Sequence, residues 1–272
     1  MSAVDPAHYL DDLRAIARRA ADAILDVYAQ DFEVVCKPDD SPVTAADLAA
    51  QRVITEGLAA IAPNVPVISE EATAASWAER RTWRRHWLVD PLDGTREFIK
   101  RNGEFTVNIA LIENHRPVLG VVLAPVGGDA YYAASGLGAW RQATPDAEPV
   151  RIRSRVAGET LRVTGSHWSG GMAATLLDRL GPHDRVPLGS SLKFCVIARG
   201  DADLYLRLGA TSEWDTAAAQ CVLEEAGGAV LDLAGRPFRY NTRDSLINPE
   251  FIACGDTEVD WAARLIDPDD NA

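Results

Sequence analysis

The chain has 272 residues, of which 47% are hydrophobic, so it can bury a sizeable core in one large domain or two tightly joined lobes. Its 27 lysines and arginines against 40 aspartates and glutamates give a net charge of −13, which repels nucleic-acid backbones and requires local cations at any site for an anionic ligand. No apolar run approaches the roughly 20 residues that cross a bilayer, and the N-terminal stretch lacks the apolar region of a secretory signal, so we expect neither a transmembrane segment nor export.

The cysteines add a prediction about compartment and metal. Cys36, Cys195, Cys221 and Cys254 are scattered, with no CxxC pair and no histidine clustered near them. This spacing favours reduced thiols in a cytosolic protein and argues against a zinc site.

The first half of the chain predicts two helices followed by strands. Apolar residues recur every three or four positions from about Asp5 to Gln30, which is typical of an amphipathic helix. The stretch SPVTAADLAAQRVITEGLAAI predicts a second helix, with Thr44 as N-cap and Asp47 as its partner in a capping box. VPVISEE, HWLVD and DAYYAASGLGAW predict strands, and FTVNIALIENHRPVLGVVLAP predicts an antiparallel hairpin that turns at residues 113–116.

The polar, proline-bearing stretch RQATPDAEPV is the predicted boundary between two lobes. Beyond it, the strand patterns LRVTGSH, ADLYLRL and AVLDL alternate with the helix patterns GMAATLLDRLG, SSLKFCVIARG and EWDTAAAQCVLEEAGG, which indicates an α/β layer. We therefore predict an N-terminal α+β lobe over residues 1–145 and a C-terminal α/β lobe over residues 146–272.

Acidic residues stand where predicted strands end or a helix begins. Glu70 and Glu71 follow PVIS, Asp90 and Asp93 follow WLV, and Asp215 opens a helix. Loops at strand ends are where a rigid scaffold presents functional groups. Converging carboxylates repel each other unless a cation lies between them, and Mg²⁺ is held by a few carboxylates together with substrate phosphate. The pattern indicates a divalent-metal site around the sequence DPLD.

Structural roles compete with this interpretation at some positions. Asp215 can be a helix N-cap, Asp47 can be the capping-box partner of Thr44, and Thr95 can cap the helix that begins REF. The two glutamates after PVIS can be solvated surface. The DPLD pair is different, because two acids at the end of an apolar strand carry a desolvation penalty that a plain turn avoids. There we favour a functional role.

Four motifs in order connect the chain to a known family. DPLDGT, at residues 90–95, resembles the metal-binding signature of the inositol monophosphatase superfamily of lithium-sensitive, magnesium-dependent phosphatases. SPVTAAD, SEE and EWDTAA stand in the order that this superfamily shows. The longer stretches DPLDGTREFIKRNGEFTVNIALI and GSSLKFCVIARGDADLYLRLGATSEWDTAA resemble its bacterial 3'(2'),5'-bisphosphate nucleotidase branch, which removes the 3'-phosphate from adenosine 3',5'-bisphosphate. The resemblance implies a mixed α/β fold of the sugar-phosphatase type, an α-β-α-β-α sandwich with two closely packed lobes.

The resemblance also implies a role for each matching residue. The implied ligands for two or more Mg²⁺ ions are Glu70, Asp90, Asp93, Asp215 and the carbonyl of Leu92. Thr95, paired with Asp47, is expected to orient or deprotonate the attacking water together with Glu70. The N–H groups of Gly94 and Thr95, at a helix N-terminus, are expected to bind phosphate oxygens. The implied reaction is direct in-line attack by water, without a covalent phosphoenzyme and inhibited by Li⁺.

Substrate choice is expected from the second lobe. The candidate substrate contacts are Gly94, Thr95, His167, Ser190, Lys193, Arg207 and Asp215, with the hydroxyl of Ser191 nearby. A bisphosphate carries a second anionic group, which an acidic protein must meet with a dedicated cation, and Lys193 and Arg207 are the best candidates. Ordinary surface charge is the alternative for both. His167 resembles the position that meets the nucleotide in this branch.

Two positions depart from the pattern of the branch. Arg96 stands where relatives often carry lysine, which keeps the charge, and Ala210 replaces a common proline, which loosens the loop presenting Asp215. Neither departure removes an implied ligand.

Two rival functions stay open beside the nucleotidase. One is a phosphatase of the same superfamily acting on inositol or sugar monophosphates, against which GSSLKF and Arg207 argue. The other is a non-catalytic protein that senses nucleotide or cation, which the intact ligand set disfavours. The expected partner is a small phosphorylated nucleotide, with no nucleic acid and no integral membrane segment. We expect a cytoplasmic monomer or homodimer serving sulfur assimilation and nucleotide recycling, with peripheral attachment at the inner membrane left open.

Overall fold

The computed structural model describes residues 5–36, 42–167 and 171–266. A short 3₁₀ turn at Pro6–Tyr9 leads into the first helix. The helices are α1 (Leu10–Tyr28), α2 (Ala45–Ile61), α3 (Trp77–Arg80), α4 (Thr95–Ile99), α5 (Met172–Asp178), α6 (Leu192–Ala198), α7 (Glu213–Glu225) and α8 (Trp261–Leu265). None of the helices in these ranges is long and apolar enough to cross a membrane.

The strands form a small hairpin and two larger sheets. The hairpin pairs β1 (Val34–Cys36) with β2 (Pro42–Thr44). The first sheet contains, in spatial order, β3 (Val67–Ser69), β4 (Arg85–Asp93), β5 (Thr106–Glu113), β6 (Arg116–Leu123), β7 (Ala130–Ala134), β8 (Gly138–Gln142) and β9 (Val150–Ile152). It is antiparallel except for the parallel pair β3–β4.

The second sheet has five strands in the order β11-β10-β12-β14-β13. Its members are β10 (Leu161–Gly165), β11 (His183–Pro187), β12 (Leu204–Arg207), β13 (Ala229–Asp232) and β14 (Phe251–Cys254). β10 pairs in parallel with β11 and β12, whereas β14 pairs antiparallel with β12 and β13.

Helices and sheets alternate in five layers. α1 and α2 pack on one face of the first sheet, α6 and α7 lie between the two sheets, and α5 and α8 cover the outer face of the second sheet. The expected α-β-α-β-α sandwich is therefore confirmed.

Strand β4 shows why the strands of the first sheet read as continuous apolar runs. Side chains alternate between the two faces of a strand. Trp87 and Val89 pack in the core beneath α1 and α2, whereas Leu88 packs in the core beneath α6 and α7. A sheet covered on both faces needs apolar residues at every position, which is the pattern HWLV supplies.

Helix α7 lies unusually close to the first sheet. A Cβ atom at Gly120 of β6 would stand 2.4 Å from the backbone oxygen of Ala218 and 2.9 Å from Cβ of Cys221. Only glycine permits this approach, because real Cβ atoms do not come within 3 Å of such neighbours. The contact fixes the depth at which α7, and the acid in its first turn, sits against β4 and β5.

Several local predictions are confirmed. The two N-terminal helices form, and Thr44 makes the predicted capping box with Asp47. The predicted hairpin is β5–β6, whose turn residues Asn114 and His115 adopt left-handed φ angles of 47° and 68°. Such a two-residue turn matches the twist of the flanking strands.

Other local predictions are wrong. β4 does not stop at Asp90 but continues through a bulge to Asp93. Thr95 does not cap α4, since Gly94 with φ of 97° is the N-cap and Thr95 is the first helical residue. β11 was not predicted, because the edge strand HDRVP lacks apolar alternation.

The predicted lobe boundary after residue 145 stays a prediction. The first sheet continues beyond it to β9, and α7, from the second half of the chain, covers the inner face of that sheet. The two halves therefore share a core around α7.

Candidate active site

The bulge in β4 creates the geometry of the DPLD motif. Asp90 pairs with Asn108 and Asp93 pairs with Thr106, so three steps along β4 oppose two along β5. A bulge of this kind inserts one residue and redirects the side chains around it. Asp90 is 1% exposed, and its Oδ1 accepts a hydrogen bond of 3.0 Å from the N–H of Leu92. Both acids thus stand at the end of a buried strand in fixed orientations.

Asp93 is held from the second half of the chain. Its Oδ2 accepts hydrogen bonds from the backbone N–H of Ser191 at 2.6 Å and from Ser191 Oγ at 2.7 Å. Asn108 Nδ2 lies 3.4 Å from the same oxygen. Ser191 is the N-cap of α6, so the start of that helix is joined directly to the DPLD motif on β4.

Asp215 stands in the first turn of α7 as the third residue of a capping box with Ser212. Its Oδ2 accepts the N–H of Ser212 at 2.8 Å. Asp215 therefore does act as a capping residue of α7, and this role uses Oδ2 of its carboxylate. The backbone oxygen of Asp215 lies 2.6 Å from Ser191 Oγ.

The acids lie close enough to perturb one another. Burial raises the pKa of Asp90 well above its usual value, and repulsion from Glu70 and Asp93 raises it further. Burial and the charge of Asp93 likewise raise the pKa of Asp215. Half-buried Glu70, which follows β3, contributes to both shifts. Four carboxylates predicted from three separate motifs are thus brought into one electrostatic cluster.

Asp47 combines its two alternative roles by using different oxygens. Its Oδ2 accepts hydrogen bonds from the N–H of Thr44 at 2.8 Å and from Thr44 Oγ1 at 2.7 Å. Its Oδ1 lies 3.4 Å from Oγ1 of Thr95. Burial raises the pKa of Asp47, and the hydrogen bonds from Thr44 oppose that shift. The carboxylate is placed to hold the Thr95 hydroxyl while it also caps α2.

A cavity of about 310 Å³ adjoins the acids. The sequence-predicted residues that line it are Asp93, Gly94, Ser190, Ser191, Lys193, Arg207 and Asp215. Lys193 is 7% exposed, and its Nζ donates to the backbone oxygen of Leu188 at 3.3 Å and lies 5.4 Å from the ring centroid of Tyr205. Burial lowers the pKa of Lys193 to about 8. Lys193 is a buried cation beside the cavity, which disfavours the surface-charge alternative for this residue.

Arg207 lies in the same cavity and braces the loop before α7. Its Nε and Nη2 donate to the backbone oxygens of Gly209 and Ala210, each at 3.0 Å. This bracing acts on the segment that contains Ala210.

His167 and Ser191 are placed differently from the other candidates. His167 does not line the cavity; its side chain is 39% exposed, and its Nε2 lies 2.7 Å from Oε2 of Glu104. The same oxygen accepts the N–H of Gly189 at 2.7 Å, so Glu104 joins the loops that carry GSH and GSS. Ser191 borders the cavity but is 1% exposed, with its hydroxyl bonded inside the protein.

Sequence reasoning missed three residues, two that shape this site and one buried in the first turn of α7. Asn108 could have been found, because it is a polar residue inside the apolar strand pattern FTVNIALI. Glu104 gave no signal, whereas Glu213 opens the motif EWDTAA but was assigned no role. Glu213 is fully buried, and its carboxylate accepts the N–H of Asn241 at 2.9 and 2.8 Å. Burial raises the pKa of Glu213 to about 7.

The donor set fits a hard divalent cation. In the described ranges no three His, Cys, Asp or Glu side chains already enclose a point that a metal would occupy. The cluster nevertheless offers carboxylate oxygens from Glu70, Asp90, Asp93 and Asp215. After burial, the charges of Glu70 and Asp93 contribute to the raised pKa values of Asp90 and Asp215. Oxygen donors of this kind suit Mg²⁺, whereas thiolates and imidazoles suit zinc. Cys195, Cys221 and Cys254 form no disulfide and are buried.

The five-layer fold and the carboxylate cluster beside a cationic cavity define a phosphatase of the inositol monophosphatase family. The profile of that family matches residues 5–263, and the chain belongs to it. Members of the family depend on metal ions.

More specific similarity is to proteins named 3'(2'),5'-bisphosphate nucleotidase CysQ. The chain is 50% identical over 244 residues to the protein of that name from Salmonella typhimurium, covering 89% of this chain and 98% of the relative. It is 48% identical over the same length to that of Escherichia coli K12, with the same coverage. The crystal structure of CysQ from Bacteroides thetaiotaomicron, described as a bacterial member of the inositol monophosphatase family, superposes with a TM-score of 0.77 at 38% identity and covers 90% of this chain and 96% of that one.

Proposed function

We propose that this protein hydrolyses the 3'-phosphate of adenosine 3',5'-bisphosphate, giving AMP and phosphate. One observation carries the choice of substrate: the buried cation Lys193 lines the same cavity as the acids Asp93 and Asp215. A substrate with two phosphate groups needs one group at the carboxylate-bound cations and the other at a protein cation. The names of the relatives at 48–50% identity support the same activity.

The proposed metal ligands are Glu70, Asp90, Asp93, Asp215 and the carbonyl of Leu92. When bound, two or more Mg²⁺ ions would supply charge neutralisation of the phosphoryl group and acidification of the attacking water. Li⁺ is expected to inhibit by competing with them.

The protein's own groups would position the reactants. Asp47 holds the hydroxyl of Thr95, and this pair, with Glu70, would orient the attacking water and accept its proton. The N–H groups of Gly94 and Thr95 would donate to phosphate oxygens. Positioning and electrostatic stabilisation are what phosphoryl transfer requires from a protein.

Lys193 and Arg207 would bind the 5'-phosphate, with Ser190 beside them. Within the described part of the chain, Lys193 Nζ makes one hydrogen bond, to a backbone carbonyl at the long distance of 3.3 Å, so its ammonium can turn to a phosphate. A hydrogen bond between a buried ammonium and a phosphate is charge-assisted and about twice as strong as a neutral one. We place His167 at the outer edge of the nucleotide site. There its imidazole would leave Glu104 and contact the substrate instead.

A phosphate-release panel tests the proposal. Purified protein with Mg²⁺ is assayed on adenosine 3',5'-bisphosphate, adenosine 3'-monophosphate, inositol 1-phosphate and fructose 1,6-bisphosphate, with and without Li⁺. We expect the highest kcat/KM on the nucleotide bisphosphate and inhibition by Li⁺. Faster hydrolysis of inositol 1-phosphate would overturn the substrate assignment, and no Mg²⁺-dependent release from any compound would favour a non-catalytic sensor.

The setting of the reaction follows from its substrate. A nucleotide bisphosphate is an intracellular metabolite, so we propose the cytoplasm as the compartment and nucleotide recycling in sulfur assimilation as the role. Buried free thiols at Cys195, Cys221 and Cys254 suit such a reducing compartment. We propose a monomer or homodimer as the working unit.

A further inference from the structure

Ser191 occupies a junction between two metal-ligand candidates that come from different layers. Its backbone N–H and its Oγ both contact Oδ2 of Asp93, at 2.6 and 2.7 Å. Its Oγ also lies 2.6 Å from the backbone oxygen of Asp215. A single side chain therefore touches the bulge of β4, the start of α6 and the first turn of α7.

The hydroxyl of Ser191 is fully engaged. A serine hydroxyl carries one proton and accepts with its lone pairs. The proton is shared between Asp93 Oδ2 and the carbonyl of Asp215, while Asn108 Nδ2 donates to Ser191 Oγ at 2.8 Å. Ser191 and Asn108 are each 1% exposed. Oδ1 of Asn108 has no hydrogen-bond partner among the described residues. The Asn108 amide therefore donates to the serine while its own carbonyl oxygen is left without a donor.

This arrangement opposes a force that acts on the acids. Asp93 and Asp215 line the same cavity, and two carboxylates at one site repel each other when both are ionised. Mg²⁺ demands near-ideal octahedral geometry, so its affinity depends on how far apart its ligands are held. Hydrogen bonds to ligating carboxylates orient them, and their loss costs about 10- to 100-fold in metal affinity.

We infer that Ser191 is a positioning residue for the metal site, which fixes Asp93 against the backbone of Asp215, and that Asn108 supports it. The inference rests on the proposed metal-dependent function. It separates Ser191 from its neighbour Ser190, whose Oγ makes only a 3.5 Å contact to the N–H of Leu192 and which keeps its proposed role at the substrate.

The test is a titration of the full-length protein with MgCl₂ alone. Binding is measured by isothermal titration calorimetry and, separately, by the rise in Tm with Mg²⁺ concentration. We expect Ser191→Ala to weaken Mg²⁺ binding about 10- to 100-fold. Asn108→Ala is expected to weaken it in the same direction by a smaller factor. Ser191→Thr, which keeps the hydroxyl, is expected to restore much of the affinity.

Ser154→Ala is the matched control. Ser154 Oγ also bonds two backbone oxygens, those of Gly255 at 2.8 Å and Ala226 at 3.3 Å, but it has no contact with the acids. It should lower Tm without changing the Mg²⁺ titration. Wild-type affinity in Ser191→Ala, or an equal loss in Ser154→Ala, would overturn the inference while leaving the metal site intact. If Ser191→Ala does not fold, unchanged affinity in Asn108→Ala overturns it instead. Absence of Mg²⁺ binding by the wild type would overturn the proposed metal site itself.

Discussion

Lys193 is expected to make substrate binding depend on pH near 8. Burial lowers the pKa of its ammonium from 10.5 to about 8, so a moderately alkaline solution removes the cation from the cavity. A nucleotide bisphosphate would then lose its charge partner at the 5'-phosphate. We therefore expect the KM for adenosine 3',5'-bisphosphate to rise as the pH passes 8.

The magnitude follows from the protonated fraction. At pH 9 roughly one lysine in ten is still charged, so the apparent KM rises about tenfold per pH unit above 8. Lys193→Met removes the cation at every pH. Loss of a charge-assisted hydrogen bond of about 1.5–3 kcal/mol raises KM about 10- to 100-fold at pH 7.

The assay is steady-state phosphate release between pH 7 and 9.5 at saturating Mg²⁺. Adenosine 3'-monophosphate, which lacks the 5'-phosphate, serves as the control substrate, since its KM should not follow the titration of Lys193. Lys193→Arg serves as the control variant, because a guanidinium stays charged over this range. The reasoning fails if Lys193→Arg keeps the pH dependence of the wild type, or if both substrates respond equally.

The titration of Lys193 should also change the free energy of unfolding, in the direction that its lowered pKa sets. The unfolded chain holds the lysine proton more tightly than the folded one, so the charged form penalises the folded state below pH 8. Relative to Lys193→Met, the free energy of unfolding of the wild type should rise between pH 8 and 10.5, by up to about 3 kcal/mol. Urea denaturation of both proteins at pH 7.5 and 9.5 measures this change. The same difference in free energy of unfolding between the two proteins at both pH values would contradict it.

Three further predictions test other parts of the structure. Gly120→Ala should lower the free energy of unfolding by about 1–3 kcal/mol, because its Cβ would stand 2.4 Å from the oxygen of Ala218. Urea denaturation should show a much smaller effect for Gly158→Ala, whose Cβ would make an ordinary van der Waals contact of 3.7 Å with the oxygen of Thr160. Burial raises the pKa of Glu213 from 4.5 to about 7, so the stability that this group contributes is present below pH 4.5 and is lost as the pH rises through 7. The free energy of unfolding of Glu213→Gln should therefore rise relative to that of the wild type by up to about 3 kcal/mol between pH 5 and 8. Superimposable curves of stability against pH would refute this. Thr95→Ala should lower kcat about 100-fold or more with Mg²⁺ affinity retained, and a kcat within threefold of the wild type would argue against a role for its hydroxyl in orienting water.

The sequence was most informative where one pattern had one physical explanation. Alternating and three-to-four spacing predicted the helices and hairpin of the first half, and the capping box at Thr44 followed from residue types three positions apart. The acids at strand ends were identified because carboxylates there need a partner. The layered order of the fold came from resemblance, since local patterns do not say which helix covers which sheet.

What the sequence did not show depends on contacts between distant segments. Ser191 was expected near the substrate, because a serine beside GSSLKF gives no sign that its hydroxyl points at Asp93. Glu104 joins His167 to Gly189 only because three loops meet. The bulge between Asp90 and Asp93 was missed because it is defined by how β4 pairs with β5, which the amino-acid sequence of β4 alone does not show.

The placement of α7 also sets the order in which the protein can be completed during synthesis. The strands of the first sheet leave the ribosome well before residues 213–225, which cover their inner face. Until then, Leu88, Ile112 and Val122 on that face lack the helix that covers most of it, and exposed apolar surface of this kind favours aggregation. Asp215 arrives on the same helix, so the nascent chain acquires the last of its proposed metal ligands and the cover for its central core in a single late step.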